Sequence, residues 1–114
     1  NIEKNWIFVK ISFNNMSLFV GGLYLSPGTD GKEFFFKLDD ILWSIECNND
    51  VKYMLLLSDL NSRIGQSGQL DDDILSGCSI SAQRLSMDEV INGRGKLCVN
   101  FFDSHGLVVL NGRR

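Results

Sequence analysis

Hydrophobic and polar positions change their period several times along the 114 residues, and each change marks an element. Residues 6–13, WIFVKISF, alternate in part and are rich in β-branched and aromatic types, which predicts a strand. The Asn14-Asn15 pair that follows predicts a turn. Residues 18–25, LFVGGLYL, read as a second strand, so the two make a hairpin. Gly21 and Gly22 inside it predict a bulge or a close backbone approach. Pro27 in SPGTDG ends that strand, because proline cannot continue a central ladder. Over residues 32–46 the period lengthens: Phe34, Leu38, Ile41, Leu42 and Ile45 build one apolar helix face. Asp30 suits its N-cap, and CNND at 47–50 closes it.

Residues 52–58, KYMLLLS, carry an unbroken apolar run, as expected of a strand covered on both faces. Residues 62–91 are polar and irregular, with Gly65, Gly68 and Gly77. A compact domain rarely keeps so long a loop unless it is functional or mobile. Gly93-Arg94-Gly95 then leads into a helix over 96–105, with Leu97, Cys98, Phe101 and Phe102 as its stripe. Gly106 fits the position after the helix end. LVVL at 107–110 predicts a fourth strand, ended by Asn111-Gly112. The order is that of an α/β fold with helices layered on sheets.

Composition adds limits. A hydrophobic fraction of 44% and a charged fraction of 22% are ordinary for one small globular domain. The strand-like runs come close to Asn1-Ile2-Glu3 and to Arg114, so residues 1–114 are expected to be the central part of a larger domain, continuing at both ends. Net charge is -3, so no global basic field announces nucleic acid. Arg84, Arg94, Lys96, Arg113 and Arg114 make a local basic bias, expected on a solvated face. Cys47, Cys78 and Cys98 match no zinc spacing, and an odd count argues against a disulfide framework. Cys98 is expected to be a buried free thiol, which points to a reducing, intracellular compartment. No apolar run reaches membrane-spanning length, so no membrane partner is expected, and no signal-peptide pattern opens the sequence.

Candidate chemistry gathers in LLLSDLNSR, residues 55–63, where the apolar run meets the polar loop. Strand alternation puts Asp59 and Asn61 on one side and Leu60 on the other. At the edge of a buried sheet both would be partly desolvated, which strengthens their interactions. A carboxylate there can take a proton from water, orient a nucleophile or hold a metal; an amide suits a phosphate oxygen or a bound water. The plain alternative is that Asp and Asn form a turn or cap a helix. A calcium loop is excluded, because Arg63, Ile64 and Leu70 stand where its pattern needs other residues. Asp71-Asp72-Asp73 reads as a solvated run and His105 as a helix-end residue, while Trp6 and Trp43 read as core or rim.

Three segments, GGLYLSPG, LLLSDLNSRIG and MDEVINGRGKLCVNFFDSHGLVVLNGR, occur in the order and approximate spacing of the endonuclease/exonuclease/phosphatase superfamily. They most resemble the endonuclease domains of non-LTR (LINE-like) retrotransposons, over most of residues 17–114. That resemblance implies a fragment of a four-layer α/β sandwich, two packed β-sheets with helices outside. It implies Mg²⁺-assisted hydrolysis of a phosphodiester in target DNA, in a nuclear protein that also carries a reverse transcriptase. Asp59 would match the aspartate that orients or deprotonates water, Asn61 its phosphate-contacting partner, and Tyr24 a phosphate-contacting tyrosine. Asn92, Arg94 and Lys96 would meet the nucleic-acid backbone. No metal ligand is assigned within residues 1–114, since the family's metal-binding glutamate would lie before Asn1 and its terminal Asp-His pair after Arg114.

Departures keep other readings open. Ser58 stands where the family usually has glycine, and Leu60 where it usually has phenylalanine. A β-carbon at 58 would crowd a tight site. The alternatives are a truncated or decayed, non-catalytic fragment of the same domain, or a phosphatase of the same superfamily. Sheets with missing strands would expose hydrophobic edges, so poor solubility is expected.

Overall fold

The computed structural model describes residues 5–48, 53–71, 73–74 and 76–113. The protein divides after Asn61 into two compact units. The first is a three-stranded mixed sheet with one helix: β1 (Trp6–Phe13), β2 (Met16–Tyr24), α1 (Gly31–Asn48) and β3 (Tyr53–Asp59), in sheet order β1-β2-β3. Strands β1 and β2 are antiparallel, while β2 and β3 are parallel. Asn14 and Asn15 both sit at positive φ, 47° and 62°, as a two-residue primed turn requires, and they pair Phe13 with Met16. Register runs unbroken through Phe8–Gly21 and Ile7–Gly22, so no bulge forms. What comes close to Gly21 is side chain rather than backbone: a β-carbon there would lie 2.6 Å from the Phe8 ring and 2.8 Å from the Leu56 side chain.

Helix α1 begins where its cap predicts. Asp30 Oδ1 accepts the Lys32 N–H at 2.9 Å. Phe34, Leu38 and Leu42 are fully buried, and Phe34 meets Trp6 edge-on at 5.3 Å. Trp43 is half exposed, a rim residue. The helix closure at Asn49-Asp50 and the strand start at Lys52 lie outside the described residues, as do Asp72 and Arg114.

One expectation is overturned here. Strand β3 is not covered on both faces: Leu55 is 40% and Leu57 is 59% exposed. Register aligns Ile7, Gly22 and Leu57 across the sheet, then Val9, Val20 and Leu55, then Ile11, Leu18 and Tyr53. These rows share one face, and α1, whose Phe34 touches Trp6, lies on the other. Nine large hydrophobic side chains on the open face are solvent-exposed: Ile7, Val9, Ile11, Phe13, Met16, Tyr24, Tyr53, Leu55 and Leu57. An apolar run reports that a strand can be buried twice, not that both covers are present.

The second unit holds α2 (Gly93–Ser104) and the long 62–91 segment. The helix starts three residues before the expected Lys96, because Asn92 supplies a strong N-cap: its Oδ1 accepts the Gly95 N–H at 2.7 Å. It ends as expected, with Gly106 at φ 63°, Leu107 N–H on Phe102 O at 2.8 Å and Gly106 N–H on Asp103 O at 3.3 Å. His105 is the C-cap, its ring 4.9 Å from that of Phe101. Gly95 packs so tightly that a β-carbon would overlap Arg63 O, whereas one on Gly93 would meet open space. Gly95→Ala is therefore expected to cost roughly 2–3 kcal/mol, and Gly93→Ala less than about 0.5 kcal/mol, in urea unfolding. Equal costs would show that the Arg63–Gly95 contact is soft.

Residues 107–110 do not form the expected strand, although their exposure alternates. Their backbone groups are spent locally: Val109 O accepts from Arg113 Nε at 2.6 Å, and Leu110 O from the Arg113 N–H at 3.2 Å. Segment 62–91 is closed at its root by the Ile64–Ile91 bridge. Inside it, two glutamine side chains act as strand partners. Gln69 pairs with both backbone groups of Arg84 at 2.7 Å each, and Gln66 pairs with those of Ser86 at 2.6 and 3.1 Å.

Arg84 corrects the solvated-face expectation. It is 5% exposed, and its guanidinium donates to Ser67 O at 2.6 Å, to Asn111 O at 3.4 Å and to Gly65 O. Burial, and the Arg113 charge second, push its pKa down. Arg113 is half-buried and donates to the carbonyls of Val109, Ala82 and Gly68. These two cations serve as internal struts.

Candidate functional site

Two parallel strands, β2 and β3, end side by side at Tyr24 and Asp59, which are register partners on the open face of the sheet. The pairing continues one step further, with Leu25 N–H on Asp59 O at 2.9 Å. Leu25 is fully buried and Leu60 is 9% exposed, so apolar residues anchor the backbone on either side of the pair. Tyr24 is 47% exposed and Asp59 is exposed, so the desolvation expected of the aspartate is absent. A cleft of about 390 Å³ opens there, lined by Trp6, Gly22, Tyr24, Leu57, Ser58 and Asp59 among others. Ser58 is exposed and lines that cleft, so its β-carbon is accommodated.

Asn61 reaches this mouth by a different route from the one expected. The strand stops at Asp59, and Asn61 takes a left-handed conformation with φ 45°, so strand alternation does not set its side. Its Nδ2 donates to Leu25 O at 2.9 Å, and its N–H donates to Asp59 Oδ1 at 3.2 Å. The Asp-Leu-Asn step is thus a turn, supported by side-chain hydrogen bonds, that ties the end of β3 to the end of β2. Asn61 is exposed, so it too lacks the expected desolvation, and its amide has a second N–H and a carbonyl oxygen beyond the bond to Leu25.

Asn92, Arg94 and Lys96 belong to the second unit, at the start of α2. Asn92 Oδ1 accepts from Gly95 N–H and also from Arg63 N–H at 3.1 Å, and the Asn92 N–H donates to Arg63 O at 3.0 Å. Its oxygen is committed to holding the helix start. Arg94 is half-buried and Lys96 exposed, at a helix N-terminus whose dipole favours anions.

The pairing of Arg63 was not legible in the sequence. It forms a two-pronged pair with Asp88, at 2.9 and 2.7 Å. The hydrogen bond from Arg63 holds the Asp88 carboxyl down at about 2. Twenty-five positions separate the partners, and nothing local announces them. Cys98 is the buried free thiol expected; burial pushes its pKa up, against a Ser62 hydrogen bond and the Arg94 charge. Among the described residues, no three His, Cys, Asp or Glu side chains converge into a metal site, and Asp71 and Asp73 are exposed. Among those residues, no helix is long and apolar enough to cross a membrane. No protein family, curated protein or solved structure matches the sequence.

Proposed function

We propose that this protein is part of a DNA endonuclease domain that cleaves phosphodiester bonds with Mg²⁺, as non-LTR retroelement endonucleases do. In this reading the parent protein also carries a reverse transcriptase and acts in the nucleus. The observation that carries it is the pairing of Tyr24 with Asp59 at the carboxyl ends of two parallel strands, above a cleft. Open α/β sheets bind their ligands outside the carboxyl ends of parallel strands. An exposed carboxylate there orients a water and accepts its proton, while the phenol and the second Asn61 N–H face phosphate oxygens. Arg94 and Lys96 add backbone contacts at the α2 start.

The described residues do not by themselves fit a Mg²⁺ site, since Asp59 is the one carboxylate among the residues lining the cleft. Cation ligation falls in this reading to residues outside the described set, and Asp59, Asn61 and Tyr24 keep their water and phosphate roles. The four-layer sandwich is the companion proposal. The open face of the sheet supports it, because a second sheet stacked about 10 Å away is the usual cover for such a surface.

A non-catalytic reading has one observation in its favour: Asp59 Oδ1 and Asn61 Nδ2 are both used in the turn. The deciding experiment extends the protein in both directions along its gene and assays nicking of supercoiled plasmid with Mg²⁺. Nicking that Tyr24→Phe lowers about tenfold, as loss of one phosphate contact predicts, supports the endonuclease. A folded, extended protein that never nicks supports the non-catalytic reading, and release of phosphate from small monoesters alone would point to a phosphatase.

A further inference from the structure

We propose that Asn111 is a site of spontaneous conversion to aspartate and isoaspartate, and that the structure protects Asn92 from the same reaction. The sequence has two asparagines followed by glycine, Asn92-Gly93 and Asn111-Gly112. Glycine leaves the following backbone nitrogen unshielded, so both pairs are chemically capable. Their surroundings differ.

The reaction is a ring closure. The backbone nitrogen of Gly112 gives its proton to water or hydroxide and attacks Cγ of Asn111. A new bond forms between that nitrogen and Cγ, the Cγ–Nδ2 bond breaks, and Nδ2 leaves as ammonia. Water then opens the succinimide. Cleavage between the ring nitrogen and Cγ gives aspartate; cleavage between the ring nitrogen and the old backbone carbonyl gives isoaspartate. Solvent water is the co-reactant, and no oxidant or reductant is involved.

Closure needs a free amide on the asparagine and a backbone that can rotate. Asn111 is exposed, and its side chain makes no hydrogen bond to any described residue. Three hydrogen bonds oppose rotation: Arg113 N–H on Leu110 O at 3.2 Å, Leu85 N–H on Gly112 O at 3.0 Å and Arg84 Nη1 on Asn111 O at 3.4 Å. Asn92 is half-buried, and its Oδ1 accepts from both Gly95 N–H and Arg63 N–H. Turning its Cγ toward Gly93 N would uncap α2 and release Arg63, while the Asn92 N–H is itself held on Arg63 O at 3.0 Å.

The product alters the second unit. Isoaspartate adds one atom to the backbone between positions 111 and 112, which carries Gly112 O away from the Leu85 N–H. It also turns the old backbone carbonyl of residue 111, the group that accepts from Arg84 Nη1, into a free carboxylate.

The test incubates the whole 114-residue protein in mildly alkaline buffer and maps its peptides by mass spectrometry, beside a short free peptide spanning residues 107–113. Asn111 is expected to convert at least about tenfold faster than Asn92, the margin that its fewer hydrogen bonds allow. Asn111→Gln, which would have to close a larger ring, is expected to stay unconverted at that position. Conversion of Asn92 at the rate of Asn111 would overturn the proposal. So would an Asn111 that stays intact after the free peptide has converted.

Discussion

Asp59→Asn is expected to lower Mg²⁺-dependent nicking by the gene-extended protein by about 10²–10⁴-fold and to leave its thermal stability nearly unchanged. The substitution separates two jobs that one side chain holds. As a turn former, Asp59 offers Oδ1 to the Asn61 N–H at 3.2 Å, and an asparagine oxygen accepts that bond equally well. As a base, it must take a proton from water, which a neutral amide cannot do. Asp59→Ala removes both and should add a stability loss of about 1 kcal/mol from the unsupported turn. Leu25 and Leu60 hold the backbone on either side, so neither change should unfold the sheet. Nicking rates compared at matched Mg²⁺, with melts of each variant, decide the matter. Full activity in Asp59→Asn would leave the aspartate a turn residue only.

The second large effect is structural. Arg84→Ala is expected to destabilise the second unit by roughly 3 kcal/mol and to open segment 62–91 to protease. The guanidinium is buried and gathers the carbonyls of Ser67, Gly65 and Asn111, which its loss would leave without a donor. Charge alone will not replace it. Lysine presents its donors from one point, whereas the arginine fork spans carbonyls from separate turns, so Arg84→Lys should recover less than half of the loss. Limited proteolysis and urea midpoints on the three proteins give the comparison. A segment that stays protected in Arg84→Ala would mean that Gln66, Gln69 and Arg113 suffice to hold it.

Legibility followed distance along the sequence. The Asn14-Asn15 turn, the α1 stripe with its Asp30 cap, and the Gly106 helix stop rest on neighbours a few positions apart, and all were readable. The same holds for the ends of β2 and β3, which is why Tyr24 and Asp59 could be singled out. That they are register partners depends on a parallel pairing across 35 positions, and no local pattern contains it. Cover of β3, the burial of Arg84 and the Arg63–Asp88 pair are equally remote. Residues 107–110 misled for a related reason: a short apolar run makes a strand only with a partner, and Arg113 claims two of its carbonyls instead. Asn61 failed through its backbone, since asparagine enters the left-handed region easily and the alternation rule ends there.

The open sheet face also bears on how the protein responds to temperature. Unfolding raises heat capacity chiefly by bringing apolar surface into water. Nine large side chains on this face are partly hydrated before any unfolding begins, so part of their share of that increment is already spent. The protein by itself should therefore fall short of the roughly 12–15 cal/mol/K per residue typical of globular proteins, and its stability curve should be correspondingly flat. A cover over this face would restore curvature along with stability.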